Sequence, residues 1–319
     1  MKKITILLIS ILILCGFSSS IFRPTCLPTI VKTTHIKYVA KTLHHGIKVN
    51  YSNTVDTTWV GCGGVIHFSI DTVIQGFMPI ETYLLWGQSN ATGQGDLNDL
   101  VPPYDDPLDS SLIFIPGTGF TVLEAGITNQ GRPGNQVQTH GIELSFLDDM
   151  ADARGNQVRL VKICTGSSNL WKSWHPNNIA SWSTSYCSLF WLALVDANAA
   201  RAAAYEEGIE LDFKALIWYQ GETEPSLHAA EYYANLSFLV DQTRIYLAEP
   251  DLNFIFVKIL DLEANDALVR QAEDSLAATD PTRLKTVETN DLGPPVGLHL
   301  VSSDLIIVGH RTATVAQTF

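Results

Sequence analysis

Residues Ile80–Gly93 read IETYLLWGQSNATG. An apolar, strand-like run stops at Gly87, and a lone serine, Ser89, follows between Gln88 and Asn90. Ser, Asn and Gly make good turns, so this stretch reads as a plain strand-end turn. It also reads as a nucleophile held at the carboxyl end of a central strand. What the other strands end on decides between the two.

Working outward, the chain alternates. IETYLLWG, QVRLVKICTG, FKALIWYQGE, NFIFVKIL and RLKTVETN have the apolar character of buried strands. Between and after them, GIELSFLDDMADARG, SLFWLALVDANAARAAAYEEG, AAEYYANLSFLVDQTRIYLAE, DALVRQAEDSLAA and SSDLIIVGHRTATVA carry helical patterns. Gly155 and Gly208 are placed to close the first two helices, and Ser302 and Ser303 to cap the last. In the third helix Tyr232, Leu236, Leu239 and Thr243 fall near one face. Apolar strands alternating with helices imply a parallel sheet covered on both faces. Right-handed crossovers then give a three-layer α/β/α sandwich with a five-stranded parallel sheet. The stretch 94–138, rich in Pro, Gly and Asp, reads as a long insertion with short strands at LIFIPG and FTVLEAG.

In such a sheet, ligands sit at the carboxyl ends of the strands. The first strand ends at Gly87-Gln88-Ser89-Asn90, the second at Thr165-Gly166-Ser167-Ser168 and the third at Tyr219-Gln220-Gly221-Glu222. The last ends at Asn290-Asp291, with Gly297-Leu298-His299 in the following loop. One rim would hold a serine, a glycine amide, a glutamine, carboxylates and a histidine. Those are the parts acyl transfer needs.

The 319 residues are 46% hydrophobic, enough for a sizeable core. A formal net charge of −13 argues against nucleic acid or anionic membrane surfaces as main partners. Lys2 and Lys3 precede an apolar run, Ile4–Phe17, and then serines. This is the pattern of an export signal, with an uncleaved membrane anchor as the alternative. The expected division is 1–20 signal or anchor, 21–78 tether or small β element, and 79–319 the catalytic-type domain. Export makes cysteine pairing reasonable; Cys26–Cys62 and Cys164–Cys187 are the local pairings, with buried free thiols as the alternative. No Cys/His spacing points to zinc, and the neighbours His44 and His45 lack a carboxylate or cysteine partner. Neither a metal nor a cofactor is expected.

The blocks WGQSNATG, KICTGSSNLWKSWHP, IWYQGETE and VETNDLGPPVGLHLVSSDLIIVGHR, in this order, resemble those of the SGNH hydrolases. The likeness is strongest to the branch with sialate O-acetylesterases and family 6 carbohydrate esterases (acetylxylan esterases), and it runs from about Ile80 to Thr314. It implies an SGNH/flavodoxin-like fold and a secreted or extracytoplasmic serine esterase acting on acetylated carbohydrate of xylan or sialate type. It also implies roles. Ser89 would be the nucleophile and His299 the base, with the amides of Ser89 and Gly166 and the side chain of Gln220 as oxyanion donors. Gln88, Asn90, Trp171 and Trp174 are candidates for substrate binding. The family's aspartate three residues before the histidine is here Val296, which cannot accept a ring N–H. Disabling an orienting acid costs a serine protease about 10⁴ in turnover. Glu222 is the expected substitute and Asp291 the second, with a Ser–His dyad if neither serves. Two other functions stay open: a broader esterase or thioesterase on lipid or aryl esters, and a non-catalytic carbohydrate-binding protein derived from a hydrolase.

Overall fold

The computed structural model describes residues 29–43, 46–61, 64–74, 79–130, 139–177, 188–207, 209–224 and 228–319, with side chains from residue 79 onward. The expected signal, His44 and His45, Cys26, Cys62, Cys187 and Gly208 lie outside them. Strands β1 (Thr29–Leu43), β2 (Gly46–Gly61) and β3 (Gly64–Ile74) form an antiparallel three-stranded sheet of their own.

The main unit follows in chain order. Strand β4 (Pro79–Gly87) leads into the single turn α1 (Ser89–Thr92) and the two-residue β5 (Gly95–Asp96). The hairpin β6 (Leu108–Ile115) and β7 (Gly119–Leu123) comes next, then the two-residue β8 (Thr139–His140), which pairs with β5. After these come α2 (Glu143–Arg154), β9 (Val158–Cys164), α3 (Leu189–Glu206), β10 (Glu210–Tyr219) and α4 (Tyr232–Leu247). The chain closes with β11 (Asn253–Val257), α5 (Asp266–Ala277), β12 (Leu284–Val287) and α6 (Ser302–Ala316).

The sheet runs β12-β11-β10-β4-β9-β6-β7. All neighbours are parallel except the edge hairpin β6–β7. The five expected strands are all present, and the sheet has seven because the hairpin of the insertion joins it through β9. A hairpin offers one strand edge that can continue a parallel sheet, so the insertion extends the layer instead of lying over it. This is the doubly wound α/β/α architecture, with β4 in the middle of the sheet.

Burial follows from that position. β9 is buried along its whole length, VRLVKIC, even at Arg159 and Lys162. In α4 the face Tyr232, Leu236, Leu239 and Thr243 is wholly buried, as the spacing required. Gly155 closes α2 in a left-handed conformation. Two local expectations are corrected. No serine side chain caps α6: Val301 holds the N-cap position, and the Ser302 hydroxyl instead donates to the Asp96 carbonyl at 3.2 Å. Cys164 is a free, buried thiol beside the Leu85 carbonyl, the alternative to its expected pairing, and burial pushes its pKa up to about 12. Among the described residues no helix is long and apolar enough to cross a membrane, and no His/Cys/Asp/Glu group is arranged to hold a metal.

Candidate active site

The site is built at the point where β4 stops. Gly87 has no room for a side chain: a Cβ there would collide with the Tyr219 carbonyl oxygen and sit 2.8 Å from the Ala91 methyl. That closeness lets β4 turn directly into α1, whose first residue is Ser89. The other end of α1 is held by charge. Lys162, buried on β9, donates to the Thr92 carbonyl at 2.7 Å and pairs with the equally buried Glu143 at 3.0 Å. Glu143 also accepts from the Gly141 amide at 2.9 Å and from Asn129 at 2.8 Å. An ammonium at the carbonyl end of a helical turn favours the turn, and the extra hydrogen bonds offset its desolvation.

His299 arrives from the other end of the chain and places Nε2 2.9 Å from Ser89 Oγ. Its loop is a tight bridge. The Val296 amide donates to the His299 carbonyl at 2.9 Å and the His299 amide returns a bond to the Val296 carbonyl at 3.1 Å. Gly297, at φ 63°, supplies the left-handed residue this turn needs. Ser89 is only partly buried, so a substrate can reach it. On the second strand end, Gly166 is exposed and lies beside Ser89: a Cβ built there would be 4.0 Å from the serine Cβ. Ser167 follows at φ 57°, a conformation that costs a non-glycine residue about 1 kcal/mol. That strained turn leaves the Gly166 N–H without an acceptor among the described residues. The Ser89 N–H opens a helical turn and has no acceptor within it.

Several sequence expectations are corrected by this geometry. Neither candidate acid meets the imidazole. Glu222 accepts from Asn90 Nδ2 at 2.5 Å. Asp291, exposed, is gripped by both nitrogens of the Arg311 fork at 2.6 and 2.7 Å. Among the described residues no carboxylate pairs with His299 Nδ1. Gln220 is fully buried, and its two amide hydrogens go to Gln88 Oε1 at 3.0 Å and the Ser168 carbonyl at 3.1 Å, so it has none for an oxyanion. Gln88 and Asn90 are 1% and 2% exposed and do not face a substrate. Trp174 is core: it stacks on Trp86 with ring centres 5.8 Å apart and donates to the Ser168 hydroxyl. Trp171 is half-buried, stacked at 4.0 Å on His228, with its backbone amide held by Glu224.

Sequence reading missed what the two carboxamides do. Gln88 Oε1 accepts from Gln220, from the Gly221 amide at 3.2 Å and from the Thr223 hydroxyl at 3.0 Å, tying β4 to the loop after β10. Asn90 bonds the peptide groups on both sides of His299. Its Nδ2 donates to the Leu298 carbonyl at 3.0 Å, and its Oδ1 accepts from the Leu300 amide at 3.1 Å. Glu222, beside it, is mostly buried, and its Oε2 has no partner among the described residues. Burial pushes its carboxyl up to about 7, against the pull of the Asn90 hydrogen bond. A cavity of about 280 Å³ opens beside His299, lined by Gln94, Asp96, Asp99, Val296, Val301 and Ser302 among others.

The arrangement supplies a hydroxyl and a base to take its proton, with the exposed backbone of Gly166 beside the serine. Comparison with known proteins places the chain among others. A family model described as carbohydrate esterase, sialic acid-specific acetylesterase, matches residues 79–318. No curated protein matches the sequence. Among solved structures, one of a protein from Arabidopsis thaliana aligns over 76% of this chain and 99% of its own, with 20% identity and a TM-score of 0.62. A carbohydrate acetylesterase from Xanthomonas citri aligns over 83% of this chain and 60% of its own, at 18% identity and a TM-score of 0.52. NanS aligns over 76% and 98%, at 15% identity and a TM-score of 0.54. At such identities the likeness is one of fold.

Proposed function

The chain belongs to the carbohydrate esterase family of sialic acid-specific acetylesterases, and from that premise we propose that it removes acetyl groups from neutral O-acetylated carbohydrate through a serine-bound acyl intermediate. The observation that carries the reading is the 2.9 Å approach of His299 Nε2 to Ser89 Oγ. With its proton on Nδ1, the ring accepts the serine hydrogen as Oγ attacks the acetyl carbonyl. The tetrahedral oxyanion forms beside the amides of Ser89 and Gly166. Its collapse breaks the ester C–O bond, and the imidazolium gives its proton to the departing sugar oxygen. Water, deprotonated by the same ring, then attacks the acetyl-serine. Acetate leaves, and Oγ recovers its proton. The machinery is a Ser–His dyad, in which no side-chain acid meets the imidazole among the described residues and the Val296–His299 bridge shapes the loop that carries it.

Asp96 and Asp99 line the cavity beside His299. Their charge disfavours a substrate that carries its own carboxylate near the scissile ester, which favours xylan-type over sialate-type sugars. The export pattern of residues 1–20 supports an activity outside the cytoplasm, secreted or held at the membrane by an uncleaved anchor.

The test is hydrolysis of O-acetylated xylo-oligosaccharide, O-acetylated sialate and a chain-length series of nitrophenyl esters. The reading expects acetyl over longer acyl chains, and the neutral sugar over the sialate. Activity peaking on long chains would replace it with a lipid or aryl esterase.

A further inference from the structure

The structure gives the side chain after the nucleophile a job that faces away from the substrate. Asn90 is buried and spends two of its three hydrogen bonds on one target: it donates to the carbonyl of Leu298 and accepts from the amide of Leu300, the two peptide groups that bracket His299. Its remaining N–H is taken by Glu222 Oε1. The serine and the clamp on the histidine loop are therefore consecutive residues of one helical turn, and that turn is pinned at its far end by Lys162. Any movement of α1 carries nucleophile and base together. We propose that Asn90 is the positioning residue of this site, holding His299 in register with Ser89 through the loop backbone, and that Glu222 acts on the reaction only by orienting the Asn90 carboxamide.

This rests on the serine esterase reading. It also accounts for Val296, which stands where the resemblance implies an orienting aspartate: this chain fixes the backbone on either side of the ring. Glu222 lies among other groups that titrate or carry charge, namely Asp266 and Glu273 on α5, Tyr219 at the end of β10 and Tyr232 at the start of α4.

The experiment measures kcat, KM and the rate of Ser89 labelling by a fluorophosphonate, from about pH 5 to pH 9, for four variants of the full chain, with Ser89→Ala as a fifth followed by hydrolysis alone. Asn90→Ala releases the histidine loop. Its kcat and labelling rate are expected to fall together by about 100-fold, the order produced by ångström-scale misplacement, with KM little changed. Glu222→Gln keeps an oxygen for Asn90 and is expected to cost less than about tenfold, whereas loss of a true orienting acid costs about 10⁴. Asn90→Asp sets a carboxylate against Glu222. Only its protonated carboxyl can donate to the Leu298 carbonyl, so its activity relative to wild type is expected to rise as pH falls. The double variant Asn90→Asp with Glu222→Gln reverses donor and acceptor and is expected to recover about tenfold over Asn90→Asp alone at neutral pH. That comparison also carries the test if Asn90→Ala does not fold. The inference is overturned by a kcat for Asn90→Ala within about threefold of wild type. A 10⁴-fold loss in Glu222→Gln, or no recovery in the double variant, overturns it equally. Ser89→Ala separates the two levels of argument. Hydrolysis that survives it removes the serine reading itself; serine-dependent hydrolysis indifferent to Asn90 removes only this inference.

Discussion

Ser89 stands between two buried carboxamides, and its two sides are built differently. On the Gln88 side a single oxygen collects donors from Gln220, Gly221 and Thr223, and the Ser168 carbonyl accepts the other amide hydrogen of Gln220. Every member is neutral. On the Asn90 side there are fewer bonds, one partner is a carboxylate with a free oxygen, and that carboxylate titrates near neutrality. The first network joins two strand ends of a rigid sheet. The second joins the sheet to a loop that brings in the base. A neutral network supports structure at every pH, whereas a sparse, ionisable one holds the loop that carries His299.

The contrast can be broken at several strengths. His299→Ala leaves both carboxamides in place and removes the base; kcat/KM on an acetyl ester should fall by about 10⁴ or more, with an unchanged melting curve. Gln88→Ala strands several buried donors and should cost about 3 kcal/mol in urea unfolding. Asn90→Ala should lose less stability than that while losing more turnover, and equal losses in both quantities would erase the distinction between the two sides.

Glu222 gives the contrast a pH axis. Its folded value of about 7 lies above the usual 4.5, so between those values the folded chain holds a proton that the unfolded chain has released. Stability therefore falls as pH rises through that window, by at most about 3 kcal/mol from this group. Glu273, fully buried and pushed in the same direction, adds to the slope. Unfolding of Glu222→Gln, followed from about pH 5 to pH 8, should show a flatter slope than wild type, and the same slope would mean that this carboxyl does not titrate there. The smallest effect belongs to the cavity: Asp96→Asn with Asp99→Asn should raise kcat/KM on an anionic acetyl ester by about threefold, a gain that salt removes.

Much of this was legible in the sequence because it depends on period and order. Buried parallel strands are apolar throughout, and helices between them keep their own spacing, so the layers and the rim could be read directly. Ser89 and His299 stood out because both follow strand ends. What could not be read was direction. Gln88 and Asn90 flank a nucleophile and look like substrate ligands, yet the turn that exposes Ser89 directs its neighbours inward, and no pattern in a single sequence records that. Gln220 and Trp174 misled for the same reason: each sits at the rim in sequence and in the core in space. The hairpin β6–β7 was legible as strands but not as part of the sheet, because edge pairing is decided by which backbone groups are left open. Glu222 was noticed as a carboxylate near the site, but its partner is the residue beside the serine, not the histidine.

The central claim is that Ser89 is the activated nucleophile and His299 the group that activates it. Intact-mass and peptide analysis after brief exposure to a fluorophosphonate tests this most directly. The account predicts one adduct, on Ser89, that His299→Ala abolishes on the same timescale. Folded protein that stays unlabelled at Ser89, or labelling of that residue that persists without the histidine, would contradict it.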